Sequence, residues 1–307
     1  MRIIVTVLLL FFIKTDAQEF IPLWPKGKMP NTKGLPLKDS IVNERAYRVM
    51  EPGMYAFFTS RDDNNGSAVL IFPGGGYDHL TYVLGGFQLA KWFNMLGTTA
   101  FVVNYRLPTS PDLKQRETGP LQDAQRAMRL VRANAEKWHL RADKIGVQGS
   151  SAGGHLASMV ATHTEDLAAI GDAFDTISFR PDFMILVSPV IDLGEYAHKG
   201  SRNNLLGPDP STALIWKYST QNSVDVHTPP AFIADAFNDK TVPPQNSLLF
   251  FQALLQNNVS ASFHVFPQGG HAIGTSNNPG STALWTSLCE MWLKEMGFIT
   301  WPVMNKK

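Results

Sequence analysis

An α/β fold, with a mostly parallel central sheet and helices on both faces, is what this sequence predicts. Three observations predict it. Short runs of consecutive apolar residues, many of them β-branched, alternate with longer stretches whose apolar residues recur at helical spacing. Several of the apolar runs end in glycine-rich turns, and the carboxyl ends of parallel strands are where such sheets carry their sites. The chain has 307 residues and 44% hydrophobic content, with no internal repeat or low-complexity tract, which suits one sizeable domain.

At the start, Met1-Arg2 leads into an apolar run from Ile3 to Ile13, followed by Thr15-Asp16-Ala17. That is the pattern of a secretory signal peptide cut after Ala17. The expectation is a signal over residues 1–17, one α/β domain over residues 18–307, and a secreted or periplasmic location. The run is too short to span a bilayer, so no membrane attachment is expected after cleavage. No cysteine follows it to take a lipid, and the only cysteine, Cys289, lies in a C-terminal helical pattern. One cysteine cannot make an internal disulfide, and Cys289 reads as a small buried residue. A net charge of +1 with no basic cluster gives no case for nucleic acid.

The first sheet-core run is Ala68-Val69-Leu70-Ile71-Phe72, which ends in Pro73-Gly74-Gly75-Gly76-Tyr77. Three successive glycines let backbone N–H groups converge on one point without Cβ interference. Helix-like residues 87–96, a strand at residues 100–103 and a helix over residues 121–138 follow. In that last helix Ala124, Met128, Leu130, Val131 and Ala135 recur at core-packing spacing.

Next comes the most informative segment. Lys144 to Gln148 reads as a buried strand, Gly149-Ser150-Ser151-Ala152-Gly153 as a sharp turn, and His155 to His163 as a helix. Strand, Gly-x-Ser-x-Gly turn and helix make a nucleophile elbow. A side chain on so tight a turn needs very small neighbours two residues before and after, here Gly149 and Gly153. The following helix aims its first N–H groups at the serine, where charge develops in acyl transfer. Ser151 is the candidate nucleophile. Gly75, Gly76 and Ala152 are the candidate oxyanion donors, and Tyr77 is expected to line the pocket.

A serine hydroxyl needs a base, and the base an orienting acid, in the chain order serine, acid, histidine. Beyond the elbow stand His198, His227, His264 and His271. His271 follows Gly269-Gly270 just after the strand-like residues 261–266 and is the chosen base. His264 lies within that strand, while His227 and His198 read as loop residues. For the acid, residues 231–234 form a strand and Asp239 follows it, before Lys240-Thr241-Val242-Pro243 begins a turn and helix. Asp239 is the chosen acid. Asp235 competes, unless it holds the loop by hydrogen bonds, and Asp192 stands third. Residues 194–225 interrupt the strand–helix alternation and read as a small cap. Trp216 within it is a candidate wall against a sugar face, core packing being the other use of a single tryptophan.

With these residues in hand the chain resembles the α/β-hydrolase superfamily. More narrowly, it resembles bacterial secreted carbohydrate esterases of the acetylxylan esterase-like or feruloyl esterase-like kind. Phe72 to Tyr77, Asn104-Tyr105-Arg106-Leu107-Pro108, Leu121-Gln122-Asp123-Ala124, the elbow through Ala157, Asp239 to Pro243 and Gly269-Gly270-His271 carry the resemblance. It runs from about Leu23 to near the C-terminus. Lys240 after the acid is a local departure that bears only on loop charge. The resemblance implies a serine esterase needing no metal or cofactor, acting on a carbohydrate ester: acetyl groups on xylan or xylo-oligosaccharides first, feruloyl esters or general short acyl esters behind. The oligomeric state is left open. A serine peptidase of the same superfamily and a catalytically dead binding module are the rival expectations.

Overall fold

The structure, a computed structural model, describes residues 18–271 and 273–300; the expected signal peptide lies outside the described residues. Strands β1 (Glu19–Pro22) and β4 (Gly53–Phe57) build an antiparallel edge, while β2 (Ser40–Val42) and β3 (Arg45–Arg48) form a separate two-stranded sheet, bridged from Ala46 to Leu80. Then β5 (Ala68–Phe72) enters the centre. A π-helical turn (Val83–Phe87) runs into α1 (Gln88–Met95) and β6 (Thr99–Asn104) follows. Helix α2 (Gly119–Ala133), β7 (Ile145–Ser150), α3 (Ala152–Thr162) and β8 (Met184–Val187) complete the middle of the chain. Last come α4 (Lys199–Leu206), α5 (Thr212–Tyr218), β9 (Ala231–Ala236), α6 (Gln245–Gln256), β10 (Ala261–Phe266) and α7 (Trp285–Glu295).

The eight-stranded sheet has the order β1-β4-β6-β5-β7-β8-β9-β10 and is parallel from β6 to β10. Alternate residues of β5 explain why its run is continuously apolar. Ala68, Leu70 and Phe72 face one core with Leu121, Leu156 and Phe250; Val69 and Ile71 face the other with Phe93, Trp285 and Trp292. A strand buried on both faces has no polar side to show. Strand order reverses at β5, whose neighbours are β6 and β7, so their carboxyl-end loops splay apart there and leave a crevice.

The α/β-hydrolase expectation is met in the sheet, with differences at its margins. The helix expected to reach residue 138 ends at Ala133. There Asn134 turns its backbone and side-chain N–H groups back onto the Leu130 carbonyl. The antiparallel β1–β4 edge has no counterpart in the expectations above. The resemblance segments around Arg106 and Asp123 are structural: the Arg106 guanidinium and its own backbone N–H both bond the buried Asp123 carboxylate, which also accepts from Trp24 Nε1. A fully paired buried carboxylate of this kind pins the loop after β6 onto α2.

Candidate active site

Ser151 sits between β7 and α3 with φ 57 and ψ −126, a conformation that costs a non-glycine residue about 1–3 kcal/mol and persists only where its surroundings hold it. They do. Ser151 N–H donates to the Val187 carbonyl at 3.2 Å, and the Ser151 carbonyl accepts from Val190 N–H at 3.0 Å and His155 N–H at 3.1 Å. The elbow glycines are required by close approach. A Cβ on Gly149 would stand 2.1 Å from the Gly153 carbonyl oxygen, and one on Gly153 would stand 1.9 Å from that of Phe72.

His271 reaches the elbow from the loop after β10. Its Nε2 lies 2.9 Å from Ser151 Oγ and its Nδ1 lies 2.6 Å from Asp239 Oδ2. With Nδ1–H donating to the carboxylate, Nε2 is free to accept the serine proton. The loop is steadied by Asn238, whose Oδ1 accepts from Gly270 N–H at 2.8 Å. Asp239 has a fully buried side chain, and its Oδ1 accepts from the N–H groups of Thr241 at 2.8 Å and Val242 at 3.0 Å. Burial pushes its carboxyl up, but the His271 hydrogen bond, these two amides and the His271 charge together hold it below the ordinary carboxylate value.

Asp235 has a different office. It is buried at the end of β9, and its carboxylate accepts from Ser247 Oγ at 2.6 Å and Ala236 N–H at 2.7 Å. Burial pushes it up from 3.8 to about 6. Asp192 caps the next loop, accepting from the N–H groups of Gly194 and Tyr196. Of the other late histidines, His264 stacks beside Phe232 and Phe266, and His227 is exposed. His198 departs from the loop reading: it is half-buried, its ring lies against Gly76, and it feels the charges of His271 and Asp239.

The glycine loop is pre-set for an anion. The Gly74 carbonyl accepts from Thr81 N–H at 3.0 Å, and the Gly75 carbonyl from Asp78 N–H at 3.0 Å and His79 N–H at 3.2 Å. In a trans peptide the N–H points opposite to the C=O. Fixing those two carbonyls therefore turns the N–H groups of Gly75 and Gly76 to the other side of the loop. Neither N–H has an acceptor among the described residues, and nor does that of Ala152 at the first position of α3. A Cβ on Gly75 would stand 2.0 Å from the His79 carbonyl oxygen, so the turn demands glycine.

Two expected substrate contacts move elsewhere. Tyr77 is fully buried, with its O–H donating to His155 Nδ1 at 2.8 Å while His155 Nε2–H donates to the Tyr218 carbonyl at 2.7 Å. A phenol satisfied inside the core does not line the pocket. Trp216 is exposed on α5 and lines a depression of about 350 Å³ with Thr162 and His163. Those residues close α3, about 17 Å along the helix from Ser151 at 1.5 Å per residue. The cavity that does flank His271, about 360 Å³, is lined by Thr81, Leu84, Leu89, Val187, Ile273 and Trp285 among others. Its walls come from the π-helical turn, the start of α1, the end of β8, the loop beyond His271 and the start of α7, which are brought together only by the fold.

The BD-FAE family model matches residues 59–254, which hold the glycine loop, the elbow and Asp239. The chain belongs to the BD-FAE family of α/β-hydrolase esterases. Among its relatives, an acetylxylan esterase of Xylanibacter ruminicola is 36% identical over 218 residues, 69% of this chain and 42% of that protein. An endo-1,4-beta-xylanase B of Butyrivibrio fibrisolvens is 34% identical over 227 residues, 74% of this chain and 35% of that protein. This BD-FAE chain thus spans less than half the length of either curated relative. The crystal structure of an acetyl ester-xyloside bifunctional hydrolase from Caldicellulosiruptor lactoaceticus superposes with a TM-score of 0.79 at 36% identity, covering 92% of this chain and 97% of that one.

Proposed function

We propose that this chain is a serine carboxylesterase that removes acetyl groups from acetylated xylan or xylo-oligosaccharides. The observation that carries the reading is the unbroken relay from Ser151 Oγ through His271 to Asp239, set beside three amides with no acceptor among the described residues. Ser151 Oγ attacks the ester carbonyl carbon and its proton passes to His271 Nε2. The carbonyl oxygen takes the displaced electron pair, held by the N–H groups of Gly75, Gly76 and Ala152. The resulting imidazolium is steadied by Asp239. Collapse breaks the C–O bond to the sugar, which leaves with the proton from Nε2. Water, deprotonated by the same nitrogen, then attacks the acyl-enzyme and frees the acid and Ser151. The steps as written use no metal or cofactor.

The substrate class rests on the relatives: one is named an acetylxylan esterase and another an acetyl ester-xyloside hydrolase. A second reading, a feruloyl or general short-chain carboxylesterase, is favoured by the cavity beside His271, whose roughly 360 Å³ exceeds what an acetyl methyl fills. Export is proposed as well, on the charged, apolar and small-residue order of residues 1–17; the N-terminal sequence of protein recovered outside the cytoplasm tests it. A hydrolysis panel of acetylated xylo-oligosaccharides, acetyl, butyryl and feruloyl esters and a peptide control tests the reaction. Acetate release with no peptide cleavage is expected. Peptide cleavage without ester hydrolysis would overturn the reading, and a preference for feruloyl esters would select the second.

A further inference from the structure

One polar atom beside the glycine loop has no work in the steps above. His198 opens α4 as its N-cap: Nδ1 accepts from Ser201 N–H at 3.2 Å and stands 2.8 Å from Ser201 Oγ. A ring that accepts a backbone N–H at Nδ1 carries its proton on Nε2 when neutral. Burial and then the His271 charge hold the ring below the ordinary histidine pKa, against the pull of Asp239, so it stays neutral at neutral pH. Nε2–H therefore stands as a fixed donor, with no acceptor among the described residues, on a ring that is only half buried.

Its position is set from two sides. Cε1 lies 3.8 Å from where a Cβ on Gly76 would stand, an ordinary contact distance, and 3.1 Å from where one on Gly200 would stand, so the ring packs beside the glycine loop and closely over Gly200. Further along α4, Asn204 Nδ2 donates to the Gly76 carbonyl at 2.9 Å, tying the helix to the loop. The His271 cavity mixes apolar Leu84, Val187, Ile273 and Trp285 with polar Gln88 and Asn277, and His198 is not part of it. The apolar side chains of that cavity suit an acyl group, whereas a sugar presents hydroxyl and ring oxygens that need donors.

We propose that His198 Nε2–H donates to a sugar oxygen next to the scissile ester, making His198 a specificity residue for glycosyl acetates. The proposal rests on the esterase reading above. Its test compares wild type, His198→Asn and His198→Ala on a mono-O-acetyl methyl xyloside and on p-nitrophenyl acetate, with a melting curve for each protein. Asparagine is a strong N-cap residue and keeps an acceptor for Ser201 N–H, but it places no donor where Nε2 stands. In both variants the ratio of kcat/KM for the xyloside to that for the aryl ester should fall about tenfold, the size of one neutral hydrogen bond. Most of that fall should lie in KM, as for a contact made equally in ground and transition states. Only His198→Ala should also melt earlier.

A ratio unchanged within twofold in His198→Asn would reduce His198 to a helix cap and overturn the proposal. An equal fall on both esters would overturn it too, because the ring would then act through the oxyanion loop. Failure of wild type to hydrolyse p-nitrophenyl acetate would instead sink the esterase reading and this inference with it.

Discussion

Gly153 approaches Phe72 so closely that a Cβ on it would stand 1.9 Å from the Phe72 carbonyl oxygen. That contact brings the end of β5 against the start of α3. The glycine loop and the nucleophile turn are therefore one packed unit. The Gly153→Ala substitution should cost roughly 2–4 kcal/mol of stability, since the neighbouring atoms are backbone and give way only by moving a strand. Urea unfolding measures it, and a loss under about 0.5 kcal/mol would mean that the two loops are not locked together.

The two carboxylates near the relay separate cleanly. Asp239→Asn should lower kcat by about 10⁴-fold, because the amide no longer sets the His271 tautomer. Asp235 bonds Ser247 and the Ala236 amide instead, so Asp235→Asn should stay within about tenfold of wild type. Matched kinetics that rank the two variants the other way would transfer the acid's role to Asp235.

Two buried groups give stability opposite slopes with pH. The Asp235 pKa is raised from 3.8 to about 6, so its contribution is present below pH 3.8 and lost as pH rises through 6. The His155 pKa is lowered from 6.5 to about 4, chiefly by burial, so its contribution is present above pH 6.5 and lost as pH falls through 4. Each shift corresponds to about 3 kcal/mol, and over the shared window they offset each other. Removing one should unmask the other. Melting temperatures taken between about pH 4 and 7 should fall more steeply on acidification in Asp235→Asn than in wild type. Parallel curves would mean that Asp235 titrates as an ordinary carboxyl.

The relocated aromatics carry their own expectation. Trp216→Ala should leave kcat/KM on acetylated xylo-oligosaccharides within about twofold, as for a surface change far from the chemistry. Tyr77→Phe should leave KM alone but cost about 1–3 kcal/mol, since His155 Nδ1 loses its buried donor. A several-fold rise in KM for either variant would return that residue to the substrate path.

What was legible in the sequence follows from how local each constraint is. Ser151, Gly149 and Gly153 lie within five residues and obey one turn geometry, so their chemistry shows in the spacing. His271 and Asp239 each lie in the loop that follows a recognisable strand, and their order along the chain supplies the rest. Trp216 and Tyr77 were misplaced because nothing nearby in sequence says which end of α3 the α5 segment packs on, or that Tyr77 turns inward to His155. The β1–β4 edge was illegible for a similar reason: β1 is only 4 residues long, largely exposed, and defined by its pairing with β4. His198 hid as a loop residue because its importance lies in its contact with Gly76, far away in sequence.

Acetate release from acetylated xylo-oligosaccharides by Ser151→Ala is the most direct test of the central claim. The substitution removes only the attacking oxygen, and the strained turn around it is held by backbone hydrogen bonds to Val187, Val190 and His155. The circular dichroism spectrum should be unchanged and kcat lowered by roughly 10⁵–10⁶-fold, leaving only what binding and the oxyanion donors contribute. A folded Ser151→Ala protein that kept more than about a hundredth of wild-type turnover would contradict that claim, because some other group would then be the nucleophile.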